Sequence, residues 1–184
     1  MGIEKKSTRD EKKLPFMTPE EIVDLVTYIS RDSIMLEIGG GDSTVFLSRL
    51  VKKIVTLEHN LEWAEKIRGN TKGYESTVFV VEPNWPQSHP FQPAEEGQFE
   101  NYLNFLTSLD DDQFDIILID GRDRVKCVNT SLTKLKSGGI LLVHDFWNRP
   151  KYHSILNNID LELILDSNSY GKNPNNTLVA FRKK

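Results

Sequence analysis

The stretch Ile34-Met35-Leu36-Glu37-Ile38-Gly39-Gly40-Gly41-Asp42-Ser43-Thr44 constrains the fold more than any other part of the chain. An apolar run carrying one carboxylate meets three glycines, and small hydroxyl residues then open an amphipathic segment. That order reads as a buried strand, a tight turn and the first turn of a helix. Glycine has no Cβ, so a ligand can lie directly on the backbone of such a turn. The amide N–H groups that begin the following helix aim at the same spot.

Around this turn the chain alternates regularly. Thr18-Pro19-Glu20-Glu21 has the form of a helix start: a capping hydroxyl, Pro at the first helical position and an acid three residues on. Ile22, Val23, Leu25, Val26 and Ile29 then recur at helical spacing. A short helix through Val45–Leu50 follows the turn, and Lys53–Glu58 reads as a second strand. Trp63, Ala64 and Ile67 mark a helix, and Thr77–Val81 a third strand. Between Pro83 and Phe99 the pattern breaks into a long loop holding Trp85, His89 and Phe91, the kind of insertion that is functional or mobile. Phe99, Tyr102, Leu103, Leu106 and Leu109 restore helical spacing. Phe114–Asp120 is nearly continuous apolar sequence, as expected of a parallel strand covered on both faces. A helix through Val125, Val128, Leu132 and Leu135 is expected to stop at Ser137-Gly138-Gly139. Ile140–Val143 would be the fifth strand, followed by a helix near Tyr152–Asn157. Leu161–Leu165 and Thr177–Phe181 read as a closing antiparallel hairpin across a Gly/Asn/Pro loop. The expected fold class is α/β, a doubly wound Rossmann-like seven-stranded sheet, mostly parallel with a C-terminal antiparallel hairpin. Residues 1–14 read as a flexible basic arm, and 15–184 as one domain.

Composition narrows the setting. A net charge of −4 over 184 residues gives no bulk attraction for nucleic acid or an anionic membrane. No apolar run approaches the roughly 18 residues needed to span a bilayer. The single cysteine, Cys127, excludes an internal disulfide. With a charged N-terminus that lacks a signal-like apolar segment, this points to a reducing, cytoplasmic location. Cys127 itself falls on an apolar helix face and reads as core.

In an open sheet of this kind ligands lie beyond the carboxyl ends of the strands. Glu37, Glu58, Glu82, Asp120 and His144-Asp145 all fall at expected strand ends. Glu58 lies seventeen residues past Gly41, near the spacing at which an acid accepts hydrogen bonds from ribose hydroxyls. A dinucleotide turn wants Gly-x-Gly-x-x-Gly, and Thr44 occupies the third position. Glu37 beside a pyrophosphate would also repel it, whereas a ligand carrying an ammonium and a sulfonium tolerates both Glu37 and Asp120.

Several segments resemble the Rossmann-like S-adenosylmethionine-dependent methyltransferases. They are Leu36–Thr44, Val55–Asn60 through Trp63-Ala64, Phe114–Gly121, and Leu135–Leu141 with its Gly138-Gly139. The resemblance spans about residues 33 to 147, and the closing hairpin fits the family's final antiparallel pair. It implies that Gly39 and Gly41 hold the methionine part of the cofactor, that Glu37 orders the turn and the amino group, and that Glu58 binds the ribose. Residues Glu82 to Trp85 would flank adenine. The implied cofactor-binding set is Glu37, Gly39, Gly41, Ser43, Thr44, Glu58, His59, Glu82 and Asp120.

His144, Asp145 and Asp120 are the catalytic candidates, since an oxygen acceptor needs a base or a metal beside it. The resemblance to the catechol-type, metal-dependent O-methyltransferases gives acids at Asp120 and Asp145. Phe146 stands where those enzymes have an Asn ligand, and Gly121-Arg122-Asp123-Arg124 lacks their catalytic lysine. A magnesium ion is therefore possible but not favoured, and no metal ligand is assigned. Arg122 and Arg124 read equally as holders of an anionic substrate or as solvated helix-start charges.

The expected activity is methyl transfer to a small-molecule acceptor, as an O-methyltransferase, with neither nucleic acid nor membrane as partner. Alternatives are a catalytically silent domain that binds S-adenosylmethionine or a partner protein, and an aminopropyl transferase, whose turn Gly39-Gly40-Gly41-Asp42 resembles. Oligomeric state is not legible.

Overall fold

Residues 14–88, 93–170 and 175–184 are described in the computed structural model. All but the last residue of the expected arm, together with His89, Phe91 and the 171–174 tip of the last loop, lie outside them.

The first helix, α1 (Pro19–Thr27), begins as its sequence dictates. Thr18 Oγ1 accepts the Glu21 N–H at 3.2 Å and Glu21 Oε2 accepts the Thr18 N–H at 2.9 Å, a reciprocal cap. The chain then alternates through β1 (Ile34–Ile38), α2 (Asp42–Leu47), β2 (Lys53–Glu58), α3 (Leu61–Asn70) and β3 (Ser76–Val80). The second half comprises α4 (Glu100–Ser108), β4 (Phe114–Ile119), α5 (Arg124–Ser131), β5 (Leu135–Val143), β6 (Leu161–Asp166) and β7 (Val179–Lys183).

The seven strands form one sheet in the order β3-β2-β1-β4-β5-β7-β6. The first five run parallel, and β7 pairs antiparallel with both β5 and β6. Strand order reverses between β1 and β4, so the loops leaving these two strands open a crevice at that point. Side chains alternate across the pleat. Leu36, Ile38, Ile117 and Ile119 pack with Phe99, Tyr102 and Leu106 of the α4 region and Cys127 and Val128 of α5. Met35, Ile54, Ile116 and Leu118 pack on the other face with Leu25 of α1 and Leu47 of α2. Cys127 is core, as its place in the sequence implied, and burial pushes its thiol up to about 12. No helix among the described residues is long and apolar enough to cross a membrane.

Two segments depart from expectation. Ser137-Gly138-Gly139 does not end a helix: α5 stops at Ser131, and Leu135 already pairs with Phe114 as strand. The next partners are Ile116 and Ile140, so residues 136–139 bulge out of the ladder, with Gly138 at φ +74. The segment Pro150–Asn157 is a 3₁₀-helix rather than an α-helix.

Candidate active site

Three glycines follow β1, and they serve different ends. Gly39 has φ +95, and a Cβ there would lie 2.4 Å from the Gly121 Cα and 2.5 Å from its nitrogen. The turn after β1 and the turn after β4 are thus in direct backbone contact, beside the Asp120 N–H, which donates to the Ile38 carbonyl at 2.8 Å. A Cβ on Gly40 would meet Thr56 Cγ2 at 2.7 Å and Ile67 Cδ1 at 2.9 Å. Gly41 alone faces open space, with nothing nearer than Ser43 Oγ at 4.0 Å. It is the position where a ligand can take the room a side chain would fill.

Glu37 is fully buried beneath the turn. Its oxygens accept hydrogen bonds from Ser43 Oγ (2.6 Å), Thr44 Oγ1 and Thr56 Oγ1 (3.1 Å), while the Gly41 N–H donates to Thr44 Oγ1 at 3.1 Å. Burial pushes the carboxyl up to about 7, against the pull of those three hydroxyls. Ser43 and Thr44 therefore turn inward to Glu37, and the three residues shape the turn from below. The helix they open, α2, is only six residues long.

Glu58 closes β2 beside this turn. Its carboxylate accepts the Gly40 N–H at 3.0 Å and the Asn60 N–H at 2.8 Å. His59 packs edge-on against Phe99 and Tyr102, with ring centroids 5.7 and 6.5 Å apart. His59 Nδ1 lies 3.0 Å from Glu58 Oε1, whereas the Tyr102 hydroxyl is buried with no hydrogen-bond partner among the described residues, an arrangement that ordinarily signals a missing polar group. Glu82 follows β3 on the same rim with its side chain exposed. The loop after it is stitched to the start of α4: the Asn84 N–H donates to the Gln98 carbonyl at 2.8 Å, and Asn101 Nδ2 donates to the Glu82 carbonyl at 3.1 Å.

Beyond β4 and β5 the structure brings Asp120, His144 and Asp145 together, their ligand atoms within 4.8 Å of one another. Asp145 sits at φ +55, a left-handed conformation that a non-glycine residue adopts at some cost. His144 lies between carboxylates: Nδ1 is 3.0 Å from Asp120 Oδ1, and Nε2 is 3.7 Å from Glu21 Oε2. Burial alone would lower its pKa, yet the bonds to Asp120 and Glu21 and the charge of Asp145 raise it to about 10. At neutral pH His144 is an imidazolium.

Arg124 holds the group from the other side. Its Nη2 lies 3.1 Å from both Asp120 Oδ1 and Asp145 Oδ2, Nε donates to the Gly121 carbonyl at 3.0 Å, and Nη1 donates to the His144 carbonyl. Its guanidinium therefore already stands between the two carboxylates, where a divalent cation would be drawn, and the third ligand is a protonated imidazole. The residues do not fit a magnesium ion.

Sequence reasoning placed Asp120, His144 and Asp145 at strand ends that the structure brings together, but not Glu21, whose only signal was its place as a helix-capping acid. Arg124, read as a substrate or surface charge, is a buried structural cation.

A family model described as a methyltransferase domain matches residues 36–146. No curated protein sequence matches the chain. Among solved structures, a methyltransferase-like protein from Silicibacter pomeroyi is similar at 20% identity and TM-score 0.73, covering 94% of this chain and 89% of its own. A putative methyltransferase from Streptococcus mutans, in complex with S-adenosylhomocysteine, is similar at 14% identity and TM-score 0.60, covering 91% of this chain and 98% of its own. A tRNA (m1A58) methyltransferase from Aquifex aeolicus is similar at 16% identity and TM-score 0.60, over 95% of this chain and 72% of its own. With RNA methylases among its structural neighbours, the expected exclusion of nucleic acid as a partner is not supported. With its glycine turn, strand order and matched core segment, the chain belongs to the Rossmann-like S-adenosylmethionine-dependent methyltransferases.

Proposed function

We propose that the chain methylates a small-molecule acceptor at oxygen, using Asp145 to take the acceptor's proton. The observation that carries this reading is the pair of carboxylates at the ends of β4 and β5, beside a glycine turn that touches the turn after β4 through Gly39 and Gly121. S-adenosylmethionine supplies an electrophilic methyl group when bound. Gly41 would leave room for it against the backbone, Glu58 would accept hydrogen bonds from its ribose hydroxyls, and Tyr102 brings an unpartnered hydroxyl to the same side.

Transfer to oxygen forms one O–C bond, breaks one S–C bond and releases the hydroxyl proton. His144 cannot take that proton, being already protonated at neutral pH. Asp120 is engaged by both His144 and Arg124, whereas Asp145 is engaged by Arg124 through one oxygen. Asp145 is thus the carboxylate left to face an acceptor, at a left-handed backbone position where β5 ends. The imidazolium and guanidinium hold both carboxylates in place before the acceptor arrives. A small acceptor is preferred because the net charge of −4 supplies no general attraction for a polyanion.

Calorimetric titration with S-adenosylhomocysteine tests the binding half. Wild type is expected to bind at about micromolar Kd. Glu58→Ala should weaken this at least about a hundredfold, as loss of two hydrogen bonds to a charged group implies. A folded wild type that does not bind would overturn the reading. Turnover is then followed as release of S-adenosylhomocysteine over a panel of small hydroxyl compounds. Because Arg124 occupies the cation position, EDTA and added magnesium should change the rate by less than about twofold; a stimulation of tenfold or more by magnesium would overturn the arrangement.

A further inference from the structure

Where α4 packs beside the end of β2, the core contains an unpaired polar group. Tyr102 is fully buried, with its ring centroid 5.6 Å from that of Phe99, in the same core as Cys127 of α5. Its hydroxyl has no hydrogen-bond partner among the described residues. An unpaired buried hydroxyl destabilises the chain that carries it, and phenylalanine would fill the same space without that cost. Burial first, then the charge of Glu58, pushes the phenol well above its ordinary range, so the group stays a protonated donor. His59 is the ring of this cluster that reaches solvent. Its side chain is 25% exposed, against 0% for Phe99 and Tyr102, and it meets both of them edge-on.

Glu58 links this ring to the glycine turn. A carboxylate offers about four lone-pair positions. The Asn60 N–H takes one on Oε1, and the Gly40 N–H takes one on Oε2. His59 Nδ1 stands 3.0 Å from Oε1 without a well-directed hydrogen bond, so this contact is easily given up. A ribose brings two adjacent hydroxyls. To donate both, it needs the second position on Oε1 as well as the one on Oε2, and His59 stands against the first. The ribose oxygens also carry lone pairs of their own, which an acceptor-only carboxylate cannot satisfy.

We propose that ribose binding at Glu58 turns the His59 ring aside, and that the Tyr102 hydroxyl, uncovered by that turn, donates to a ribose oxygen. Tyr102 is then a cofactor-contacting residue that the empty site keeps covered. This rests on the methyltransferase reading and adds to its cofactor site a residue from α4 and a movement of His59. The chain carries the hydroxyl at a loss when empty and satisfies it when loaded. A buried water would satisfy the hydroxyl with no such coupling, so stability and affinity are read together.

The full chain, as wild type and as Tyr102→Phe, is melted without ligand and titrated calorimetrically with S-adenosylhomocysteine and with its 2′-deoxy and 3′-deoxy analogues. Tyr102→Phe is expected to melt at the wild-type temperature or up to about 4 °C above it, and to bind S-adenosylhomocysteine about tenfold more weakly. One deoxy analogue, the one lacking the oxygen that accepts from Tyr102, should bind both proteins within about twofold. The His59 ring signals of wild type should shift in NMR spectra on saturation with S-adenosylhomocysteine. Tyr74→Phe, at an exposed tyrosine, should alter neither melting nor affinity. Affinity within about twofold of wild type in Tyr102→Phe leaves the hydroxyl to a buried water and overturns the proposal. A lower melting temperature joined to an equal loss for all three ligands marks a packing role and overturns it also. His59 signals that stay in place on saturation overturn the displacement. If wild type itself fails to bind S-adenosylhomocysteine, the methyltransferase reading falls and this inference with it; binding by wild type that Tyr102→Phe does not impair removes the inference alone.

Discussion

Gly39→Ala is expected to destabilise the chain by roughly 3–5 kcal/mol, whereas Gly41→Ala leaves its stability within about 0.5 kcal/mol. The two glycines are two residues apart in the same turn, and the difference lies in what surrounds them. A side chain on Gly39 must adopt φ +95 and must also place its Cβ 2.4 Å from a backbone atom of Gly121. Neither contact is relieved by rotating a side chain. Relief requires separating the turns after β1 and β4, which breaks the Asp120-to-Ile38 hydrogen bond and shifts Asp120. Gly41 has an extended backbone, at φ −177, that alanine adopts freely, and open space beside it. Thermal unfolding should register a fall of about 10–15 °C for Gly39→Ala and almost none for Gly41→Ala, at 2–4 °C per kcal/mol for a domain of this size. Titration with S-adenosylhomocysteine should give the converse for Gly41→Ala, a folded protein with affinity reduced at least about tenfold. Equal melting temperatures for wild type and Gly39→Ala would refute the close approach of the two turns. Undiminished binding by Gly41→Ala would remove the cofactor from that face.

That contrast marks where reading the sequence stops. The glycine run announced a turn, and the apolar runs ending in Glu58, Asp120 and His144-Asp145 announced strands whose ends meet at one edge. These signals are local: side-chain alternation and turn chemistry lie within a few neighbouring residues. Which glycine packs against protein and which faces a ligand depends on Gly121, Thr56 and Ile67, brought there by the sheet. Ser137-Gly138-Gly139 was misread because a helix stop and a strand bulge draw on the same residue, and only the Phe114 and Ile116 pairings distinguish them. Arg124 reads in the sequence equally as a holder of an anionic substrate or a solvated helix-start charge, and its partners Asp145 and the His144 carbonyl come from a different strand end. Charge in a sequence is visible; whether it is buried and matched is not.

Glu21 is the extreme case, with bonds that span 156 residues of sequence. One oxygen accepts from the Thr177 and Leu178 N–H groups, and the other from Thr18 N–H while lying 3.7 Å from His144 Nε2. The residue is 1% exposed, so water cannot replace it when it is removed. Glu21→Ala is therefore expected to cost roughly 4 kcal/mol, combining orphaned backbone donors with a buried imidazolium that has lost one of its anions. Glu21→Gln keeps the shape but presents an amide donor to groups that donate, and should cost about half as much. The pH dependence supplies an independent check. Burial would raise the Glu21 pKa, but the bond to His144 and the backbone donors hold it down at about 2, against 4.5 ordinarily. Its contribution is thus complete above pH 4.5 and is lost as pH falls toward 2. His144 behaves oppositely: its contribution is complete below pH 6.5 and drains away as pH rises through about 10. Wild type should therefore be most stable, as far as this pair is concerned, between those limits. In Glu21→Gln the alkaline loss should begin at lower pH, because His144 then keeps only Asp120 and Asp145 to hold its proton. Melting curves from pH 2 to 10, paired with an NMR titration of the His144 ring, measure both effects. An unchanged His144 titration in a folded Glu21→Gln protein would show that α1 does not reach the site at all.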